Sequence, residues 1–95
     1  MRRELDIMGT KVPVIWTSSM PEDAVATWDP DTMEIHISNQ ISAEHQRQAL
    51  IHELLHAVSE FLNLDLSHAQ IYPLTMVLVH FLRANTGTVE WLQQS

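Results

Sequence analysis

The first half of the chain alternates apolar and polar positions in the way that strands do. Residues 11–16 predict a strand, and we expect it at a sheet edge because Pro13 has no N–H to donate to a ladder. The sequence Asp29-Pro30-Asp31-Thr32 is a strong turn signal. It lies between residues 24–28 and 33–38, so these two segments are predicted to pair as an antiparallel hairpin.

The second half changes to a helical period. Ser42 is the predicted N-cap of a first helix that continues to Leu62 with one broad apolar face. Ser67 and Gln70 resemble a capping box that starts a second helix, which Asn85 and the residues after it end. We expect its apolar face to point inward, and this face comprises Ile71, Leu74, Val77, Leu78, Phe81 and Leu82.

Together these elements predict an α+β fold, a small antiparallel sheet followed by two packed helices. The chain of 95 residues suits a single domain over residues 1–95. The last segment, residues 88–95, is expected to fold back onto the core through Val89, Trp91 and Leu92.

The composition limits which metal ligands, partners and cellular locations the chain can have. There is no cysteine, so any metal must be held by imidazole and carboxylate groups. The net charge of −7, with only five Lys and Arg residues, argues against nucleic acid as a partner. No apolar run is long enough to cross a bilayer, and the first residues lack the apolar region of a signal peptide. We therefore expect a cytoplasmic protein without a membrane partner.

The middle of the first predicted helix carries the motif His52-Glu53-Leu54-Leu55-His56. Residues four apart lie one above the other on a helix, so the imidazoles of His52 and His56 can reach one metal ion. Zinc accepts such nitrogen ligands and tolerates an open fourth position. Glu53 is turned by about 100° from His52, which predicts a general base acting on a metal-activated water. The alternative is a helix with two surface histidines and a surface glutamate.

A catalytic zinc site needs a third protein ligand, usually from another element. No Asp or Glu occurs between residues 66 and 89, so the second helix can offer only His68 or His80. On a helical wheel His68 borders the apolar face near Ile71 and Thr75, whereas His80 lies nearly opposite that face. We therefore favour His68 as the third metal ligand.

Other side chains stay open as alternatives. Asp65 lies in the predicted loop and could supply the third ligand instead, with Glu60, Glu90 and water as further candidates. Tyr72 follows His68 by one turn and could support an oxyanion, although a tyrosine at a helix boundary also explains it.

The motif and its surroundings resemble small phage and prophage metallopeptidase-like proteins. The resemblance rests on residues 50–57 (LIHELLHA), 66–71 (LSHAQI) and 81–85 (FLRAN). Such proteins look like minimal zincins, distantly similar to the ImmA/IrrE-type peptidases. The resemblance covers the two helices well and the sheet only loosely.

The resemblance implies that His52 and His56 bind zinc, that Glu53 is the general base and that residues 33–38 line the edge of the cleft. Gluzincin-type members take an acidic third ligand from the second helix, where this chain has none. We interpret His68 as the replacement.

These observations predict a zinc metallopeptidase of narrow specificity that acts on a peptide or protein of unknown identity. If the gene is carried by a phage, the enzyme would act in the host cytosol. A non-cleaving, zincin-shaped regulatory protein is the alternative, and a structural zinc domain is a third. Glu53 favours the enzyme, because a purely structural zinc site has no need of a base.

Overall fold

The computed structural model describes residues 1–94 and shows a four-stranded sheet followed by three helices. The predicted α+β class is confirmed. In chain order the elements are β1 (Arg2–Ile7), β2 (Thr10–Thr17), β3 (Ala26–Asp29), β4 (Glu34–Ser38), α1 (Ala43–Phe61), α2 (His68–Ala84) and α3 (Thr86–Gln93).

The sheet differs from the predicted antiparallel sheet: it is mixed, because β2 and β4 pair parallel, and its strand order is β1-β2-β4-β3. The predicted hairpin is confirmed as β3 and β4, which pair antiparallel. The expectation that Pro13 marks an edge strand is wrong, because β2 lies between β1 and β4. Pairing of β2 with β4 is parallel and starts only at Val14. The missing N–H of Pro13 therefore need not interrupt both of its neighbouring ladders.

Strand β1 was not predicted. It pairs antiparallel with β2 through a two-residue turn, and both turn residues have positive φ, 51° at Met8 and 93° at Gly9. Positive φ at both central positions is the requirement of a type I′ hairpin turn. The side chain of Asp6 also accepts a hydrogen bond from the Gly9 N–H at 2.7 Å, which closes the turn.

We expect Gly9→Ala to destabilise the fold by about 1–2 kcal/mol, the usual cost of a left-handed conformation for a residue with a Cβ. Space is not the reason, because a Cβ at Gly9 would meet no atom within 4 Å. Gly87→Ala is the matched control: its Cβ would also meet no atom within 4 Å, but Gly87 lies in α3 without positive φ. Urea unfolding measures both variants, and equal midpoints would contradict the assignment of the turn.

The core lies between the sheet and α1. Val12, Val14, Ile35 and Ile37, from the two central strands, are fully buried, and partly buried residues of α1 pack against them. As predicted, Ser42 caps α1, accepting a hydrogen bond from the backbone of the third helical residue. One side of α1 thus faces the sheet, and the same helix contacts α2 and the edge strand β3.

Helix α2 packs on α1 through a narrower face than expected. Its buried residues are Ile71, Thr75 and Val79, one in each turn. The hydroxyl of Thr75 donates to the carbonyl of Ile71 at 2.9 Å, so a nominally polar residue can be buried. The expectation that the larger apolar face points inward is wrong, because its members other than Ile71 are exposed: Leu74, Val77, Leu78, Phe81 and Leu82.

The end of the chain also differs from the prediction. Helix α2 ends at Asn85 as expected, but α3 follows it directly. Trp91 and Leu92 are 66% and 61% exposed, so their predicted return to the core is wrong. Within the described residues, no helix is long and apolar enough to cross a membrane.

Candidate metal centre

Helix α1 brings two imidazole nitrogens together. His52 and His56 are one helical turn apart, and their Nε2 atoms lie 3.2 Å from each other. Both rings are partly buried and meet edge to face, with centroids 4.9 Å apart. The helical spacing recognised in the sequence therefore places two potential ligand atoms at one point.

The third imidazole comes from the first residue of α2. The centroid of the His68 ring lies 4.8 Å from that of His52 and 5.1 Å from that of His56. One ring nitrogen from each of the three histidines lies within 4.8 Å of the others. Among residues 1–94, this is the one group of three potential ligands that meets this distance.

The connection between the helices explains how His68 reaches this position. Ser59, buried near the end of α1, accepts a hydrogen bond from the N–H of Leu66 at 2.9 Å, and its carbonyl accepts one from Leu64. The predicted capping box is present, with reciprocal bonds between Ser67 and Gln70. The loop is thus fastened to α1 just before α2 begins, so the first turn of α2 lies beside the motif.

The spacing of His52 and His56 is compatible with a zinc ion held by both rings. Tetrahedral coordination with Zn–N distances of about 2.0–2.1 Å places two ligand nitrogens about 3.3–3.4 Å apart. The separation of 3.2 Å between the Nε2 atoms of His52 and His56 is close to that value. Three neutral imidazoles are also the complete donor set of a well-known kind of catalytic zinc site.

The surroundings of His52 and His56 favour the neutral, metal-binding form of these two side chains. Burial lowers the pKa of His52, and so do the neighbouring imidazoles of His56 and His68. Burial and His68 lower the pKa of His56 in the same way. Because a metal binds only the deprotonated ring nitrogen, lowered pKa values reduce competition from protons at neutral pH.

Glu53 is the most unusual side chain of α1. It is only 9% exposed and lies on the buried row of the helix, between Ala49 and Ala57. Burial raises the pKa of Glu53 to about 7, a rise that the backbone of Trp28 partly opposes. A carboxyl group with such a pKa can both accept and release a proton near neutral pH.

A cleft of about 310 Å³ opens beside these groups. It is lined by His52, Glu53 and His68, and also by Val25 and Ala26 at the start of β3. The resemblance implied that residues 33–38 line the cleft edge. That implication is wrong, because β4 pairs on both sides and the edge strand next to α1 is β3.

The cleft also receives side chains whose role the sequence left undecided. Tyr72 is exposed and lines the same cleft as Glu53. His45 and Gln48, on the two turns of α1 before the motif, line the same space. Gln48 was not singled out from the sequence. Its spacing of four residues from His52 is the signal that could have found it.

The alternative third ligands lie elsewhere. Asp65 and Glu60 line a separate depression that His56 also borders, and neither belongs to the cluster of three imidazoles. Glu60 instead accepts a hydrogen bond from the indole of Trp28 at 2.7 Å. His80 lines a third depression, away from the motif.

Comparisons of the chain with protein-family models, with curated proteins and with solved structures found no match. The residues of the cluster and the cleft are therefore the basis for any assignment of function.

Proposed function

We propose that the protein is a zinc-dependent hydrolase of the peptidase type. The observation that carries the proposal is the convergence of His52, His56 and His68 beside the buried carboxyl group of Glu53, at the edge of an open cleft. A structural zinc site usually has four protein ligands and no base, whereas a catalytic site has three ligands and an open position.

Each residue has a distinct role in this proposal. A bound zinc ion supplies Lewis-acid chemistry, lowering the pKa of a coordinated water and polarising a carbonyl group. His52, His56 and His68 hold the ion as neutral imidazoles. Glu53, with its pKa of about 7, would take a proton from the attacking water on a carboxylate oxygen and return it to the amine that leaves when the C–N bond breaks. Tyr72, on the cleft wall, can donate a hydrogen bond from its phenol O–H to the substrate carbonyl.

The substrate is proposed to be a peptide or protein. The cleft reaches the start of β3 at Ala26, and β3 has a free edge because it pairs only with β4 within the described sheet. An extended peptide can pair with such an edge. The cleft is small, which supports narrow specificity. The lack of cysteine, together with the absence of a spanning helix among residues 1–94, supports the proposal of a cytoplasmic location.

We expect the purified chain to bind one zinc ion and, when loaded, to cleave members of a diverse peptide library. Metal analysis measures the first result, and mass spectrometry of new peptide termini measures the second. His52→Ala and His56→Ala should each lose both zinc and cleavage, because the site then keeps two imidazoles. His45→Ala is the control for zinc content, since His45 lies on the same helix outside the cluster.

Zinc content and peptide cleavage together distinguish the proposed hydrolase from its alternatives. Zinc retained at full occupancy in either His52→Ala or His56→Ala would contradict the site. A wild-type chain that binds zinc and cleaves no peptide of the library would contradict the hydrolase and favour a non-cleaving regulatory protein.

A further inference from the structure

Helix α2 has apolar side chains on two sides. One row, Ile71, Thr75 and Val79, is buried against α1. The second set is centred about 100° round the helix from that row, and only Leu82, in the last turn, continues the direction of the row itself. We call it the outer face of α2, and its residues are 37–65% exposed: Leu74, Val77, Leu78, Phe81 and Leu82.

A helix that is apolar on more than one side is usually buried on more than one side. A shallow groove of about 430 Å³ adjoins the outer face, lined by Leu66, Pro73 and Val77 among others. The outer face therefore continues as an apolar surface toward the start of α2.

The exposed area is of the size that a dimer needs. With roughly 200 Å² for each side chain, the area of an aromatic residue, the outer face exposes at most on the order of 450 Å². That is already comparable with the largest patch of a typical monomer, about 300–600 Å². Trp91 and Leu92 of α3, a helix that packs against α2, raise the exposed area to on the order of 700 Å². A standard interface buries about 800 Å² on each partner.

The charge distribution favours a second copy of the chain as the partner that covers the outer face of α2. The chain carries a net charge of −7, which would make two copies repel each other over most of their surface. Residues 66–89 contain no Asp or Glu, so the outer face is the part of the surface where two copies can meet without carboxylates opposite carboxylates. Arg83, in the last turn of α2, pairs with Glu44 of α1 and leaves no unpaired cation at the end of the helix.

We propose that the outer face of α2 is a dimer interface, in which the helix packs against α2 of a second copy about a two-fold axis. A two-fold axis brings the same patch of both copies together, so one self-complementary surface is sufficient. The cleft opens on the side of Tyr72 and Met76, away from Leu74 and Phe81 on the helical wheel. Dimerisation therefore leaves the metal centre accessible and does not depend on the proposed zinc chemistry.

Light scattering coupled to size exclusion, across the micromolar range, tests the proposal. We expect the wild-type chain to have the mass of a dimer, with or without zinc. Val77→Glu should raise the dissociation constant by roughly 100-fold or more, because each copy then places a carboxylate in an apolar interface. Tyr72→Glu, about 140° round the helix from Val77 and on the side of the cleft, should leave the dimer unchanged. Circular dichroism verifies that both variants are folded.

A second measurement does not require a charge in the helix. The chain has no cysteine, so single-cysteine variants at Leu74, Val77 and Phe81 can be oxidised without competing thiols. We expect at least one of them to form a disulfide-linked dimer, and Tyr72→Cys, on the cleft side of the helix, to form none. A monomeric wild-type chain would overturn the proposal and assign the outer face to another protein or to a further segment of a longer chain. A dimer that Val77→Glu does not weaken would place the interface elsewhere.

Discussion

Replacing Glu53 by Gln is expected to leave zinc bound while peptide hydrolysis falls by a factor on the order of 10²–10⁴, the usual contribution of a general base. The amide has nearly the same size and shape as the carboxyl group but cannot accept the proton that the proposed mechanism requires. The three imidazoles are untouched, so metal analysis should give the zinc content of the wild type. The decisive readout is the combination of full zinc occupancy with a lost rate.

The stability of this variant adds a second readout. Glu53 is 9% exposed, and burial disfavours its charged form. A neutral amide at this position avoids that cost, so we expect a melting temperature equal to or above that of the wild type at neutral pH. An inactive but stable variant cannot be explained by unfolding.

Glu60→Gln is the matched control. Glu60 lies two turns further along the same side of α1, it is exposed, and an amide oxygen there can still accept the hydrogen bond from Trp28. This variant should keep both zinc and activity. Loss of zinc in Glu53→Gln would make Glu53 a ligand, and an unchanged rate would exclude it as the base.

The motif and its helix could be predicted from the sequence because the relevant contacts are local. Ser42 as N-cap, the pairing of Ser67 with Gln70, and the spacing of His52 and His56 all lie within one helical turn. Their geometry depends on helix parameters alone. The loop between the two helices is also short, which limited where His68 could lie.

The burial of Glu53 could not be predicted in this way. From the sequence it lies outside the large apolar face of α1, but α1 also packs against β3 and α2, and the backbone of Trp28 in β3 bonds the Glu53 carboxyl group. The parallel pairing of β2 with β4 is non-local in the same sense. Strand β1 is different, because the positive φ values of Met8 and Gly9 belong to a local turn, and the glycine was a signal available in the sequence.

His68 lies beside His52 and His56 as expected, but the helical-wheel pattern behind that expectation was only partly right. The wheel placed it beside Ile71 and Thr75, and those residues do face α1. The other residues of the predicted inner face are exposed. The buried row includes Thr75, which the prediction did not count because it considered only large apolar residues. His68 lies about 20° from Thr75 on the wheel, so it faces α1 in either arrangement.

Because His68 belongs to α2 and the other two imidazoles belong to α1, a bound zinc ion would join the two helices and couple binding to folding. At free zinc 100 times the dissociation constant, the coupling amounts to about 2.7 kcal/mol. In a domain of this size that corresponds to a melting temperature on the order of 10–20 °C higher with zinc than after chelation. Calorimetry with and without a chelator measures the difference.

His68→Ala is expected to weaken zinc binding and to remove most of this difference, because the ion would then be held by α1 alone. His80→Ala, on the same helix but outside the cluster, should leave both zinc affinity and the chelator effect unchanged. The control matters because either substitution could alter the packing of α2, but only the loss of a ligand changes the response to chelation. If Asp65→Asn alone abolished zinc binding, the third ligand would come from the loop, and packing alone would hold α2 against α1.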